Sequence, residues 1–142
     1  MKTQVTTKTA HEMFTKAAFI QWMGIELQEI ENGVCRASMK IRPDMLQHDG
    51  FVHAGILTTL ADHCCGGSVG SLLKPREHVL TAEFKSSFLR AATSPEVFCK
   101  AVCLKRGKSA AFTEAKVYSG KEMTDDQLLS TLSSTLVIRV IS

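Results

Sequence analysis

The chain has 142 residues, enough for one domain of ordinary size and too few for two. With 44% hydrophobic and 22% charged residues it can bury a core without disulfides or metal, which excludes a disordered protein. The net charge of +3, from 17 Lys+Arg against 14 Asp+Glu, is too slight and too evenly spread for a surface that tracks phosphates, so no nucleic acid is expected as a partner.

The elements follow in chain order. Residues 9–23 carry Ala10, Met13, Phe14, Ala17, Ala18 and Trp22 near helical spacing, which predicts one amphipathic N-terminal helix with its aromatics in the core. Residues 25–30 and 34–41 read as strands; in the second, Cys35, Ala37, Met39 and Ile41 alternate with Arg36, Ser38 and Lys40. Asn32-Gly33 between them is a hairpin signal. Pro43 and Asp44 break the second strand, and a polar loop over 45–52 leads to a helix predicted over 54–73.

In that helix Ile56, Leu57, Leu60, Ala61, Cys64 and Cys65 form one apolar stripe, with Thr58, Thr59, Asp62, His63 and Gly66 opposite. Glycines at 66, 67 and 70 make it a poor isolated helix, so tertiary packing must hold it, and close approach by a backbone or a ligand would explain them. Four strand-like runs follow, over 79–89, 97–105, 109–118 and 131–141, with Arg106-Gly107-Lys108 as a hairpin connection. Short links between successive strands favour antiparallel pairing. The expected class is α+β: an N-terminal helix, then an antiparallel sheet burying a long central helix, all in one domain over residues 1–142.

No run approaches the roughly 18 apolar residues of a membrane span, and residues 1–24 lack the apolar stretch of a secretory signal, so a cytoplasmic protein without a membrane partner is expected. The five cysteines fit that address. Their number is odd, and Cys64 and Cys65, adjacent in the central helix, cannot easily bond to each other, so they read as reduced thiols packed as small apolar groups. His48, His53, His63, Cys64 and Cys65 offer no C-x-x-C or H-x-x-x-H pair, and no metal is expected.

The stretch from Gln47 to Asp62 carries the chemistry. It sets a polar loop, a turn of small residues and a helix start ahead of one carboxylate in an otherwise apolar helix. Asp is a poor interior helix residue and is seldom buried without a partner, so Asp62 asks for a reason.

Gln47, Gly50, His53-Ala54-Gly55 and Leu60-Ala61-Asp62 together resemble the signature of the hotdog-fold acyl-CoA thioesterases, in their PaaI-like branch. The run from Thr81 to Arg90 resembles that family's strand after the helix, and the element order matches along nearly the whole chain. The resemblance implies a hotdog fold, hydrolysis of an acyl-CoA thioester, no cofactor other than the coenzyme A of the substrate, and a homodimer or homotetramer. It implies that Asp62 is the catalytic carboxylate, as nucleophile or as base for water, and that the Ala54 N–H binds the thioester oxygen. Ala54 stands where the family has Gly, which narrows the room beside the acyl group.

By the same resemblance Gln47 orients the water or the thioester, and His53 and Gly55 complete the motif, His53 bonding backbone at the helix start. Thr81 would add a hydroxyl near Asp62. Strand alternation sets it opposite Leu80, Ala82 and Phe84, so if those three cover the helix, Thr81 reaches Asp62 only through a bulge or a strand end. Arg90, Arg106 and Lys108 are candidates for the coenzyme A phosphates. Phe14, Trp22, Met45, Phe51 and the small residues around Gly66 are candidates for the acyl pocket.

Length adds a constraint of its own. Ala54 and Asp62 are eight residues apart, about 12 Å along one helix, whereas a nucleophile and an oxyanion donor must meet within roughly 3 Å of one carbonyl. The expected site therefore pairs Asp62 with Gln47 and Ala54 of a second subunit. Two alternatives use the same residues: a hydratase or dehydratase working through His53 and Asp62, and a non-catalytic acyl-CoA binder.

Overall fold

The computed structural model describes residues 7–141. Two short helices, α1 (Thr7–Lys16) and α2 (Ala18–Met23), lead into the hairpin β1 (Ile25–Glu31) and β2 (Val34–Lys40). A 3-10 turn (Pro43–Met45) and a loop precede the long helix α3 (Ala54–Gly70), and β3 (Glu77–Phe88), β4 (Glu96–Arg106), β5 (Ala110–Tyr118) and β6 (Leu128–Val140) complete the chain. The strands form one sheet in the order β1-β2-β4-β5-β6-β3, every neighbouring pair antiparallel. All six strands touch α3. A sheet curled round a long central helix is the hotdog arrangement that the sequence led us to expect.

The core lies between α3 and the concave face of the sheet. On the helix Leu57, Leu60, Ala61, Cys64 and Cys65 are buried, and they meet Cys35, Ala37 and Met39 of β2, Val97, Cys99 and Ala101 of β4, and Leu132 and Leu136 of β6. Each fully buried Leu or Val adds roughly 1.5–3 kcal/mol, so this face holds a helix that its glycines would otherwise weaken. All five cysteines are free.

The Asn32-Gly33 turn has positive φ at both residues, 50° and 80°, as a type I′ hairpin requires, and the Gly33 N–H donates to Ser71 Oγ at 2.7 Å, tying the hairpin to the end of α3. Gly107 closes the β4–β5 hairpin through its N–H to the Ala110 carbonyl at 2.8 Å.

Four expectations are corrected. The N-terminal helix is broken at Ala17, which is extended (φ −65°, ψ 130°), because the Gln21 carboxamide reaches back to the Thr15 carbonyl at 3.1 Å and caps α1. Its aromatics are divided: Phe14 is buried, whereas Trp22 is 57% exposed beneath the Arg42 guanidinium, 5.0 Å from the ring centroid. The central helix stops at Gly70 rather than running to residue 73, and β6 begins at Leu128, earlier than the apolar pattern suggested.

Candidate active site

The helix start of α3 is built by its own motif. His53 is the N-cap, and its Nδ1 accepts from the Gly55 N–H at 2.9 Å. A Cβ on Gly55 would lie 3.0 Å from that nitrogen, which accounts for the glycine. The Ile56 N–H donates to the His53 carbonyl at 2.9 Å, as does that of Leu57 at 3.4 Å. Among the described residues the Ala54 N–H alone in this first turn has no partner, and it sits at the positive end of a 17-residue helix.

The loop before it is held from both sides. The Gln47 Oε1 accepts from the Asp49 N–H at 2.6 Å and the Phe51 N–H at 3.2 Å, and the Gln47 N–H donates to the Phe51 carbonyl at 2.8 Å. With its oxygen engaged, the carboxamide has only its NH2 to offer, as a donor. Gln47, His53, Ala54, Phe51, Phe88 and Arg90 line one open cavity of about 670 Å³.

Asp62 lies two turns further along, half-buried, on the border of a different cavity of about 320 Å³. The Thr81 hydroxyl donates to Asp62 Oδ1 at 2.8 Å. Among the described residues Oδ2 has no partner. Thr81 reaches the helix by regular alternation with Val79, because Leu80 faces outward, and a β-bulge follows it: the register of β3 on β6 shifts between Thr81 and Glu83. Before the bulge, odd positions face α3, with Val79 against the core and Thr81 on Asp62; after it, Ser86 does so, 3.4 Å from Thr58 Oγ1. Leu80, outside that set, is 64% exposed.

Beside Asp62, the His63 Nε2–H donates to the Phe14 carbonyl at 2.8 Å, and its ring lies against the Phe14 ring, tilted, at 4.2 Å between centroids. In the fold His63 borders the Asp62 cavity and pins α1 over it. Burial pushes its pKa below the ordinary 6.5, against the Phe14 carbonyl and Asp62, which favour the charged form. Cys65 is pushed up to about 11, chiefly by burial, and so stays a neutral thiol rather than a nucleophile.

The remaining candidates are dispersed. Arg90, on the rim of the Gln47 cavity, donates to the Asp126 carbonyl. Arg106 is paired with Glu77, both side chains largely buried, and Lys108 is exposed on the β4–β5 hairpin. Of the residues suggested for the acyl pocket, Phe14 and Gly66 border the Asp62 cavity and Phe51 the other; Met45 is buried in the core. Among the described residues no three His, Cys, Asp or Glu side chains gather as metal ligands, and no helix is long and apolar enough to cross a membrane.

The two cavities share no residue. One holds the carboxylate, the other the free N–H and the carboxamide donor, and both abut β3, at residues 79–81 and 88–90 respectively. Within one copy the donors stand at the start of the helix and the acid at its middle, eight residues on.

Residues 49–125, more than half of the chain, match the family model of the thioesterase superfamily. The 1,4-dihydroxy-2-naphthoyl-CoA hydrolase of Listeria monocytogenes serotype 1/2a (strain 10403S) is 25% identical over 95 residues, which are 67% of this chain and 77% of that protein. Among solved structures, a thioesterase family protein from Silicibacter pomeroyi superposes with a TM-score of 0.87 at 26% identity, over 93% of this chain and 96% of that one. The PaaI protein of E. coli, from the phenylacetic acid degradation operon, superposes with a TM-score of 0.80 at 18% identity, over 95% and 92% of the two chains.

Proposed function

This chain belongs to the thioesterase superfamily and is a thioester hydrolase, and on that footing we propose that it cleaves acyl-CoA at a site shared by two copies of the chain. Asp62 of one copy works with Gln47 and Ala54 of the other. The observation that carries this reading is the separation of acid and donors into two cavities flanking one edge strand.

β3 is an outer strand of the sheet, paired on one side with β6. Leu80, Phe84, Phe88 and Leu89 on and just after it are 64%, 45%, 47% and 60% exposed, an apolar edge of the kind that recruits another strand. An antiparallel pair of β3 strands about a two-fold axis between Phe84 and Lys85 sets residues 79–81 of one copy opposite 88–90 of the other. The same operation brings the Asp62 cavity beside the partner's Gln47 cavity, twice over.

In that site the thioester carbonyl oxygen receives the Ala54 N–H, where the dipole of α3 adds to the stabilisation of developing negative charge. The Gln47 NH2 holds the thioester or the water in place. Thr81 occupies Oδ1 of Asp62, leaving Oδ2 to act on the carbonyl carbon, either by direct attack or by taking a proton from a water that attacks. The carbon–sulfur bond breaks and the thiolate, once protonated, leaves as CoA-SH; on the direct route water then cleaves the acyl–Asp62 anhydride, and on both routes the free acid and an unmodified Asp62 remain. The chemistry requires a carboxylate, a backbone donor and water, with no metal or redox group. We assign the coenzyme A phosphates to Arg90, on the rim of the donor cavity, where it also donates to the Asp126 carbonyl; the Arg106 guanidinium is ion-paired with Glu77, and Lys108 is exposed on the hairpin.

The test is thiol release from acyl-CoA by the Asp62→Asn variant, which keeps a partner for Thr81 but removes the charge. Turnover is expected to fall by about 10²-fold or more. Near-normal turnover would contradict the role given to Asp62.

A further inference from the structure

The Asp62 cavity is larger than one aromatic ring needs. A cavity of about 150 Å³ accommodates benzene, and this one is about 320 Å³. Its shape follows from α3. Asp62, Gly66 and Gly70 are spaced by four residues and share one face of the helix. A Cβ added at Gly66 or at Gly70 would meet no atom within 4 Å, so the missing side chains leave an open trough beside the carboxylate. Phe14 and Met13 of α1 wall it on one side and Val79 and Leu80 of β3 on the other, with Leu73 among its lining residues.

Polarity is confined to one end. Among the described residues Asp62, His63 and Thr81 are the only polar side chains on the lining, all at the carboxylate end, and two of them are committed: Thr81 to Asp62, and His63 to the Phe14 carbonyl. Past Gly66 the described residues of the lining offer no side-chain partner to a hydroxyl or an amide, so a polar ring substituent would be buried unpaired there. The eight residues from Asp62 to Gly70 span about 12 Å. An extended chain with carbon–carbon bonds of about 1.5 Å advances about 1.3 Å per bond, which fits about eight to ten carbons over that distance.

We infer that the trough takes the acyl group as an unbranched aliphatic chain of about eight to ten carbons, and that Gly66 and Gly70 determine the accepted length. This rests on the reading of Asp62 as the hydrolytic carboxylate. Side chains at the two glycines would cut the trough short at one turn and at two turns from the acid, so each position selects a different length.

The experiment measures thiol release across straight-chain acyl-CoAs from two to fourteen carbons, with phenylacetyl-CoA and 1,4-dihydroxy-2-naphthoyl-CoA beside them, for the full chain and its Gly66→Leu, Gly70→Leu and Gly70→Ala variants. The expected kcat/KM is greatest at about eight to ten carbons. The ratio of decanoyl-CoA to butanoyl-CoA activity should fall about tenfold or more in Gly70→Leu, further in Gly66→Leu and least in Gly70→Ala. Greater activity on either aryl thioester, or a ratio unmoved by both leucines, would overturn the inference. If the unaltered chain releases thiol from no substrate, the hydrolytic reading fails. The trough is then judged on melting temperature: decanoyl-CoA should raise it more than acetyl-CoA, a difference that Gly70→Leu abolishes, and equal shifts would overturn the inference.

Discussion

Thr81 donates its hydroxyl proton to Asp62 Oδ1 at 2.8 Å, across the seam between β3 and α3, from the strand face it shares with Val79 just before the bulge between Thr81 and Glu83. One residue fewer in the strand would put the downstream half of β3 on the wrong face. The acid of the site is thus oriented by the stretch of β3 upstream of that irregularity.

Removing that hydroxyl at constant shape isolates its contribution. Thr81→Val should lower kcat by about tenfold, the equivalent of a hydrogen bond to a charged group near 1.5 kcal/mol, while Thr81→Ser should restore most of it. A valine variant with unaltered kcat would show that Asp62 is oriented by its helix alone.

His63 makes stability depend on pH. Burial holds its folded-state pKa below 6.5, so the unfolded chain binds a proton that the folded chain resists. Stability from this residue is therefore present above about pH 6.5 and declines as pH falls below it, because the unfolded state then binds more protons. The other four histidines are exposed. The melting temperature should fall between about pH 7.5 and pH 5.5, and His63→Gln, which can still donate to the Phe14 carbonyl, should show a smaller fall. An equal fall in both proteins would assign the effect elsewhere.

Much of this was readable before any coordinates. The four-residue stripe from Ile56 to Cys65, the Asn32-Gly33 turn and the alternation of Cys35, Ala37 and Met39 act through local geometry, and each stands where its pattern put it. What stayed hidden depends on contacts distant in sequence or on side chains acting as backbone. The break at Ala17 carries no Pro or Gly to mark it, since a glutamine four residues on makes the cap. The bulge beside Ala82 lacks a glycine, and only the switch of helix-facing positions from Val79 and Thr81 to Ser86 could have betrayed it. Trp22 sits at helical spacing, yet Arg42 covers it outside the core. In the motif itself Asp62 stood out as a carboxylate in an apolar helix and its eight-residue distance from Ala54 already separated the two, whereas the edge strand that both cavities flank needed the strand order.

The glycines of α3 differ in kind. A Cβ on Gly67 would lie 2.8 Å from Cys35 Sγ and 3.0 Å from Phe14 Cδ2. Gly67→Ala should therefore cost about 1–3 kcal/mol through overpacking, whereas Gly66→Ala, with open space around it, should add up to about 1 kcal/mol through helix propensity. Urea unfolding of the two variants reads both signs. Destabilisation of equal size at Gly66 would mean that the trough beside it is filled.

The shared site is tested most directly by complementation between two inactive variants. Asp62→Asn removes the acid. Ala54→Pro removes only the free N–H, since proline suits the first position of a helix and His53, at φ −60° and ψ 135°, already has the backbone that precedes proline. Alone, each variant should lose about 10²-fold in turnover. Unfolded together in equal amounts and refolded, half of the dimers would carry one chain of each kind, with one intact site apiece, and activity should return to about a quarter of that of the unaltered protein. A refolded mixture no more active than the two variants assayed separately would contradict a site built from two chains.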